Sequence, residues 1–279
     1  MNKIWYKIKF RQKTPIHIGT LNNYGVLSET RLFIPGCTMW GALVNKYGKM
    51  NGGNDEDYER GKNLFESITC FFPKIEGSGL LFPCYIKGKY SFGSYSEEML
   101  RLVLTDVYVS TSIKPETLSA KDESLHETEI LLPKLKGKEP RQVYWEGLLA
   151  IDRQMVEEVL GFFKEDLEIV VGGDTRYGFG NLTLDSPPEK ATEEDLNMWN
   201  IRDRKPDFER EIRNYAALVN GISSFEGEVE RVITNFDFSR ATPVVKEKHS
   251  LLVVKPGGKL KVRVENVILS KGIYHIYIK

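Results

Sequence analysis

A glycine-rich segment at residues 172–180 has the residue types and spacing best suited to chemistry. It holds four glycines in nine residues, namely Gly172, Gly173, Gly178 and Gly180. Glycine adopts positive φ and lets backbone N–H groups come close to an anion. Within the segment, Arg176 offers a charged partner for a phosphate, and Tyr177 offers an aromatic face on which a base can stack. The segment therefore predicts a loop that binds phosphate or nucleic acid.

Two other structures can be built from a loop of this composition. A glycine-rich hairpin beside a β-bulge uses the same residues, and the pattern alone leaves that alternative open. A dinucleotide-binding loop is disfavoured, because residues 181–184 (Asn-Leu-Thr-Leu) read as a strand rather than as the helix which that motif requires.

Few other residues suggest catalysis. His17 lies between Ile16 and Ile18 in a strand-like stretch, so its imidazole can face solvent or RNA and act as a general acid or base. A structural histidine is the alternative, and no Ser/His/Asp set can be read from the spacing. The three cysteines form no CxxC pair, which favours reduced thiols. We expect no metal site, no cofactor and no small-molecule substrate.

Composition and charge narrow the class of protein. The chain has 279 residues, of which 41% are apolar, which is enough for one large domain or two ordinary ones. Its net charge of +0 counts against a nucleic-acid binder, but residues 1–50 carry +7 and residues 189–232 carry −4. No stretch approaches the roughly 20 apolar residues of a membrane helix, and the N-terminus lacks the apolar core of a signal peptide. We therefore expect a cytoplasmic protein that does not contact a membrane.

The elements that must position the loop follow the order strand, helix, strand, strand, helix, strand. Alternating apolar residues predict a strand over 4–10, and the spacing of Met39, Leu43 and Tyr47 predicts a helix that starts near residue 37 or 38. The predicted strands that follow are 80–86, 125–132, 143–151, 167–171 and 181–184. This order is typical of a ferredoxin-like (RRM-like) β-α-β-β-α-β domain with insertions, which is an α+β fold.

Other segments are assigned by local composition. The second helix is predicted over 152–163 with Asp152 as its N-cap, residues 97–109 fit either helix or strand, and the polar residues 51–63 predict a mobile loop. The pair Pro187-Pro188 predicts a boundary between a domain at 1–188 and a smaller α+β unit at 189–279. In that unit we expect a helix over 207–221, and the expected strands are 231–238, 251–254, 259–267 and 272–278. A hairpin turn at 255–258 would join the middle two strands.

Four segments in the right order resemble the RAMP superfamily of CRISPR-associated proteins. The glycine-rich loop is similar to the signature of that family, and residues 14–19 (Thr-Pro-Ile-His-Ile-Gly) are similar to its first strand. Residues 33–43 resemble its entry to the first helix, which reads IPGSSLKGALR in the family. Residues 111–129 resemble a middle segment of the subunits that form the backbone of type III effectors. The resemblance spans residues 1–188.

The resemblance implies that the start of the first helix and the glycine-rich loop line a path for guide RNA. It assigns RNA contacts to Gly36, Thr38, Lys46, Gly172, Gly173, Arg176, Tyr177, Gly178, Phe179 and Gly180. Helix N-terminal N–H groups and a hydroxyl also suit a phosphate on physical grounds alone. Where the family pattern has a lysine, this chain has Trp40, so a charge contact is absent there or is replaced by stacking; packing of the indole within the fold is the alternative.

The resemblance also bears on catalysis. Target-cleaving relatives place an aspartate between the first strand and the first helix. In residues 20–31 of this chain the only acidic residue is Glu29, which either substitutes for that aspartate or balances the charge of Arg31. We therefore expect a non-catalytic subunit of a CRISPR ribonucleoprotein effector in antiviral defence, with guide RNA and other effector subunits as partners. The alternatives are a metal-independent endoribonuclease that processes repeat RNA, with His17 as its candidate residue, and a subunit that binds only protein.

Overall fold

The structure is a computed structural model that describes residues 3–24, 26–201, 205–235, 244–245 and 249–278. Its elements up to residue 184 are β1 (Lys3–Gln12), β2 (Gly19–Tyr24), β3 (Leu27–Thr30), α1 (Gly36–Met50), α2 (Asp55–Leu64), β4 (Phe72–Ile75), β5 (Pro83–Ile86), β6 (Lys89–Phe92), β7 (Tyr95–Ser96), α3 (Glu97–Leu104), β8 (Thr105–Ser110), β9 (His126–Leu131), β10 (Val143–Asp152), α4 (Val156–Phe162), β11 (Glu168–Val170) and β12 (Asn181–Leu184). The remaining elements are β13 (Glu189–Lys190), α5 (Glu193–Met198), β14 (Tyr215–Ala217), β15 (Ser224–Glu226), β16 (Val229–Ile233), β17 (Ser250–Val254), β18 (Lys259–Lys261), β19 (Val264–Ser270) and β20 (Ile273–Ile278).

The first sheet has the strand order β11-β12-β1-β10-β4, and every neighbouring pair in it is antiparallel. The six ferredoxin-like positions are occupied by β1, α1, β4, β10, α4 and β12, and their strands lie in the spatial order fourth, first, third, second; β4 falls outside the strands predicted from the sequence. The chain therefore has the predicted ferredoxin-like α+β fold. Tyr6, Ile8 and Phe10 of β1 are buried while their neighbours are not, which is the alternation that predicted this strand.

One hydrophobic core extends from this sheet into the C-terminal part of the chain. Trp199 packs edge-on against Phe82 with 5.0 Å between ring centroids, and Tyr215 lies 5.7 Å from Phe33. The strand β13 pairs with β1 of the first sheet. A second sheet, of order β16-β17-β14-β20-β19, covers the end of the core at which α1 begins. The division of the chain after residue 188 stays a prediction.

Three local predictions are wrong, and each was overridden by contacts that the local sequence does not show. Residues 55–64 form α2 instead of a loop, because Asn54 and Asp57 make a capping box at its start. Residues 207–221 contain strand β14 and no helix, because the N–H groups of Ile212 and Tyr215 donate to Gly258 and Gly272 instead of to the preceding turn.

The third wrong prediction is the hairpin at 255–258. Gly258 N–H donates to Lys255 O, so a turn is present, but the strands on either side belong to different sheets. Gly257 N–H donates to Ile212 O, and this bond draws the turn away from a hairpin path. Residues 97–109, for which helix and strand were both open, contain α3 and most of β8. Asp152, the predicted N-cap of the second helix, makes no side-chain capping hydrogen bond. The predicted strand at 231–238 ends outside the described residues.

Candidate nucleic-acid interface

A groove of about 960 Å³ lies between α1, the β11 side of the first sheet and strand β16 of the second sheet. Its walls come from segments far apart in the chain. The predicted residues Thr38, Lys46, Gly172, Gly173 and Phe179 all line it. The fold thus brings the start of the first helix and the glycine-rich loop to one place, as the sequence predicted.

The helix wall is one face of α1. Thr38, Ala42, Asn45, Lys46 and Lys49 follow the spacing of a single helical face, with Thr38 in the first turn and Lys49 in the last. Lys46 is half-buried and Lys49 is exposed, and neither has an ion pair or hydrogen bond with another described residue. Their ammonium groups are therefore available to an anionic ligand in the groove.

The glycine-rich loop contains four residues with positive φ, of which three are glycines and the fourth is Asp174 at +54°. Gly172 has φ +82°, Gly178 has +82° and Gly180 has +92°. A Cβ at 172 would lie 2.2 Å from His17 O, and a Cβ at 180 would lie 2.1 Å from Val171 O. The loop is also bound to the segment between β1 and β2, since Gly173 N–H donates to His17 O over 2.9 Å. Packing thus explains the glycines at 172 and 180, whereas a Cβ at 173 would lie 3.7 Å from the nearest atom and a Cβ at 178 would meet nothing within 4 Å, although residue 178 has positive φ.

Arg176, Tyr177, Gly178 and Gly180 of the loop lie outside the groove lining, whereas Thr175 and Phe179 belong to it. Residues 175–177 form one turn of 3₁₀-helix, with the Arg176 and Tyr177 side chains exposed. Phe179 is buried against Tyr108 at 5.3 Å between ring centroids, while Tyr177 packs at 5.7 Å from the same ring and remains 59% exposed. Tyr177 is therefore the aromatic side chain of the loop with a face free for stacking.

Gly36 is buried beneath the groove and does not line it. A Cβ at this position would lie 2.4 Å from Gly272 Cα and 2.6 Å from Gly272 N. The start of α1 therefore touches the β19–β20 turn backbone to backbone. The structure thus supplies a packing reason for Gly36, whereas RNA contact at this residue stays a prediction.

His17 is also buried, at 7% exposure, rather than facing solvent. Its Nδ1 lies 2.8 Å from Glu129 O, and its Nε2 lies 3.4 Å from Ser28 Oγ. Both ring nitrogens thus have partners inside the protein. Trp40 likewise packs within the fold, because its indole N–H donates to Lys62 O and the Lys271 ammonium lies 4.0 Å from its ring centroid.

Sequence reasoning missed the polar floor of the groove. Arg31 and Tyr215 lie there with Cys37. Arg31 Nε is 3.6 Å from Glu230 Oε1, so the charge partner of Arg31 is in the second sheet, and the expectation that Glu29 balances it is wrong. Since Glu230 lies about 200 residues after Arg31 in the sequence, no local signal could have revealed this pair.

Burial and charge set the ionisation of the floor. Burial lowers the pKa of Arg31, but the neighbouring Tyr215 and Glu230 outweigh it and raise that pKa above the ordinary value. Burial raises the pKa of Tyr215 well above its usual range, and it also raises that of Cys37. The floor therefore carries a fixed guanidinium charge beside a neutral phenol and a neutral thiol, and neither of the latter is activated as a nucleophile.

Arg231 of β16 completes a basic lining that the sequence revealed only in part. Among the described residues, the basic side chains that line the groove are Arg31, Lys46, Lys49 and Arg231, and the acids are Glu168 in the lining and Glu230 beside Arg31. Arg231 also donates from Nη1 to Ser250 Oγ over 2.7 Å. An anionic chain is thus the ligand that this groove favours. No helix among the described residues is long and apolar enough to cross a membrane.

Comparison with known proteins gives a family for the sequence and relatives for the fold. The sequence pattern of the RAMP superfamily matches residues 9–183, which is more than half of the chain. No curated protein matches the sequence.

Among solved structures, the chain is similar to a chain of the Type III-B Cmr-beta bound to cognate target RNA and AMPPnP. The TM-score is 0.62, with 12% identity over 91% of this chain and 86% of that one. A chain of Cmr-beta bound to cognate target RNA alone matches with a TM-score of 0.58, again with 12% identity and the same coverage. At this identity the likeness shows a shared fold.

Proposed function

The chain belongs to the RAMP superfamily, and from that premise we propose that it is a non-catalytic, RNA-binding subunit of a CRISPR ribonucleoprotein effector. Its partners are the guide RNA and neighbouring effector subunits, and its place of action is the cytoplasm, in antiviral defence. The Cmr-beta structures that share its fold are complexes with target RNA, which supports this assignment.

One observation carries the proposal. The start of α1 and the glycine-rich loop, more than a hundred residues apart in sequence, line a single groove together with four basic residues, of which Arg31 is paired with Glu230. Single-stranded RNA is bound by such grooves, in which cations follow the backbone and aromatic rings stack with bases. Lys46 and Lys49 would contact phosphates, the Thr38 hydroxyl would accept a hydrogen bond from a ribose or donate one to a phosphate, and Tyr177 would stack at the rim.

We propose that the protein binds RNA without cleaving it. The segment between the first strand and α1 has no aspartate, and His17 is buried with both ring nitrogens engaged. A general acid must reach the ribose or the leaving oxygen, and a buried imidazole at the back of the loop does not do so. These observations favour binding over cleavage.

The salt dependence of RNA binding tests the proposal. For single strands, each phosphate contact contributes about 0.7 to the slope of log K against log salt concentration. The double variant K46A/K49A, measured by fluorescence anisotropy on the full chain, should therefore reduce that slope by about 1.4. Lys89 and Lys138 are exposed and lie outside the groove, so K89A/K138A removes the same charge as a matched control and should leave the slope within about 0.3 of wild type.

Two results would count against the assignment. If the wild-type chain, alone and within its assembled complex, binds no RNA, the proposed function is wrong. If the two double variants lower the slope equally, the charge effect is global and the groove is not the RNA path.

A further inference from the structure

Strand β11 presents its edge, rather than a face, to the groove. It stands at the end of the first sheet, paired only with β12 among the described strands. Residues 168 to 171, four in succession, line the groove. Because side chains alternate between the two faces of a sheet, four successive residues can line one cavity only through their backbone edge.

The hydrogen-bond register shows which backbone groups are unpaired. Leu184 N–H donates to Leu167 O, and Val171 N–H donates to Gly180 O. In an antiparallel pair the bonded residues alternate, so the residues facing β12 are 167, 169 and 171. The N–H and C=O of Glu168 and Val170 therefore point away from the sheet and toward the groove.

An open strand edge selects its ligand by offering donors and acceptors together. Phosphate oxygens only accept hydrogen bonds, so the carbonyls of the edge would repel them. Each nucleobase, in contrast, carries a donor next to an acceptor on its pairing edge. A peptide strand could also pair with the edge, but the basic lining from α1 and β16 favours RNA.

We propose that the outward N–H and C=O groups of Glu168 and Val170 hydrogen-bond the edges of unstacked nucleobases of the bound RNA. This inference rests on the proposed function and adds how the groove contacts the bases. Because every base offers a donor beside an acceptor, a strand edge binds bases without choosing among them. Such contact suits a groove that must hold RNA of varying sequence.

Proline at position 170 tests the inference. It removes the outward N–H and leaves the bonds to β12 in place, since proline is tolerated on edge strands where the N–H faces outward. Val170→Ala trims the same side chain and keeps the N–H, so the comparison of V170P with V170A isolates the backbone donor. Loss of one hydrogen bond should weaken RNA binding by V170P about threefold to tenfold relative to V170A.

An abasic ligand distinguishes bases from phosphates. The probes are oligo(A), oligo(U) and oligo(C) of one length and an abasic oligoribonucleotide of the same length, at one salt concentration. We expect the V170P penalty on all three homopolymers, agreeing within about twofold, and no penalty on the abasic strand. A penalty on the abasic strand as well, or on one homopolymer only, overturns the inference.

Further controls keep the outcome decisive. If V170P does not fold, as judged by its thermal unfolding, E168P removes the neighbouring outward N–H and carries the same expectation. Wild-type RNA binding with equal affinities for V170P and V170A overturns only this inference, whereas absence of wild-type binding defeats the proposed function itself. If V170P keeps its RNA affinity but no longer enters the effector complex, the edge pairs with protein and the inference is wrong.

Discussion

Replacing Gly36 by alanine should destabilise the protein, although alanine is the better helix former. The new Cβ would meet the backbone of the β19–β20 turn, at 2.4 Å from Gly272 Cα and 2.8 Å from Lys271 C. Both contacts are with backbone, so relief requires the turn or the helix to move by roughly 1 Å. Overpacking of this kind costs about 1–3 kcal/mol, against a gain in helix propensity of at most about 1 kcal/mol.

Gly41 in the same helix provides the matched control. A Cβ there has no other atom within 4 Å, so G41A should gain about 0.5–1 kcal/mol from reduced backbone entropy. We therefore expect the free energies of unfolding of G36A and G41A to differ by about 2 kcal/mol. Chemical denaturation of both full-length variants and wild type, followed by far-UV circular dichroism, measures the difference.

The RNA affinity of G36A separates its two possible roles. A packing role predicts lower stability, with RNA affinity near wild type under conditions in which the variant is folded. If G36A is as stable as wild type and binds RNA more weakly, the glycine contacts RNA directly and the packing argument is refuted.

Three further predictions follow from the same contacts. G172A should lose about 2 kcal/mol or more of stability, because residue 172 has positive φ and the new Cβ would meet His17 O. G173A should change stability by less than about 0.5 kcal/mol, because its Cβ would lie 3.7 Å from the nearest atom. Denaturant titration of both variants measures the difference. Hydrogen bonding from Arg60, with help from Tyr47, holds the pKa of Glu158 below its ordinary value despite burial, so its ionised form stabilises the fold at neutral pH and this contribution is lost as pH falls through the folded pKa. The stability difference between wild type and E158Q should therefore be largest at pH 7 and shrink as the pH falls below the ordinary pKa of a glutamate and through the lowered pKa of Glu158, which unfolding at a series of pH values will show. E230Q would leave the Arg31 charge without its partner and should destabilise the fold by about 2 kcal/mol or more, with little response to salt. A smaller loss of stability that disappears in 1 M salt would mean that the Arg31–Glu230 pair is effectively exposed to solvent.

The sequence was most informative where one local rule and the tertiary structure agree. Alternation predicted β1 and helical spacing predicted α1 because the core lies on one side of each element. The helix predicted over 207–221 is wrong, because its residues find backbone partners in β18, in Gly258 and in the β19–β20 turn. Local patterns cannot show such partners, since they are supplied by residues about 50 positions away.

The candidate site divides in the same way. The sequence predicted the glycine-rich loop and the start of α1 as parts of the site, because each is a short segment whose residue types suit an anionic ligand. The pair of Arg31 with Glu230 and the wall that contains Arg231 were missed, because they exist only once the second sheet packs on the first. The position of His17 shows the reverse case, in which alternation suggested an outward imidazole and tertiary hydrogen bonds enclosed it.

The three walls of the groove are synthesised at different times. Synthesis proceeds from the N-terminus, so α1 and the glycine-rich loop leave the ribosome before Tyr215 of β14 and the β16 residues that complete the groove lining. A nascent chain that ends near residue 190 would offer RNA an open shelf with two walls and no Arg231. The third wall of the groove therefore forms only after β16 has been made.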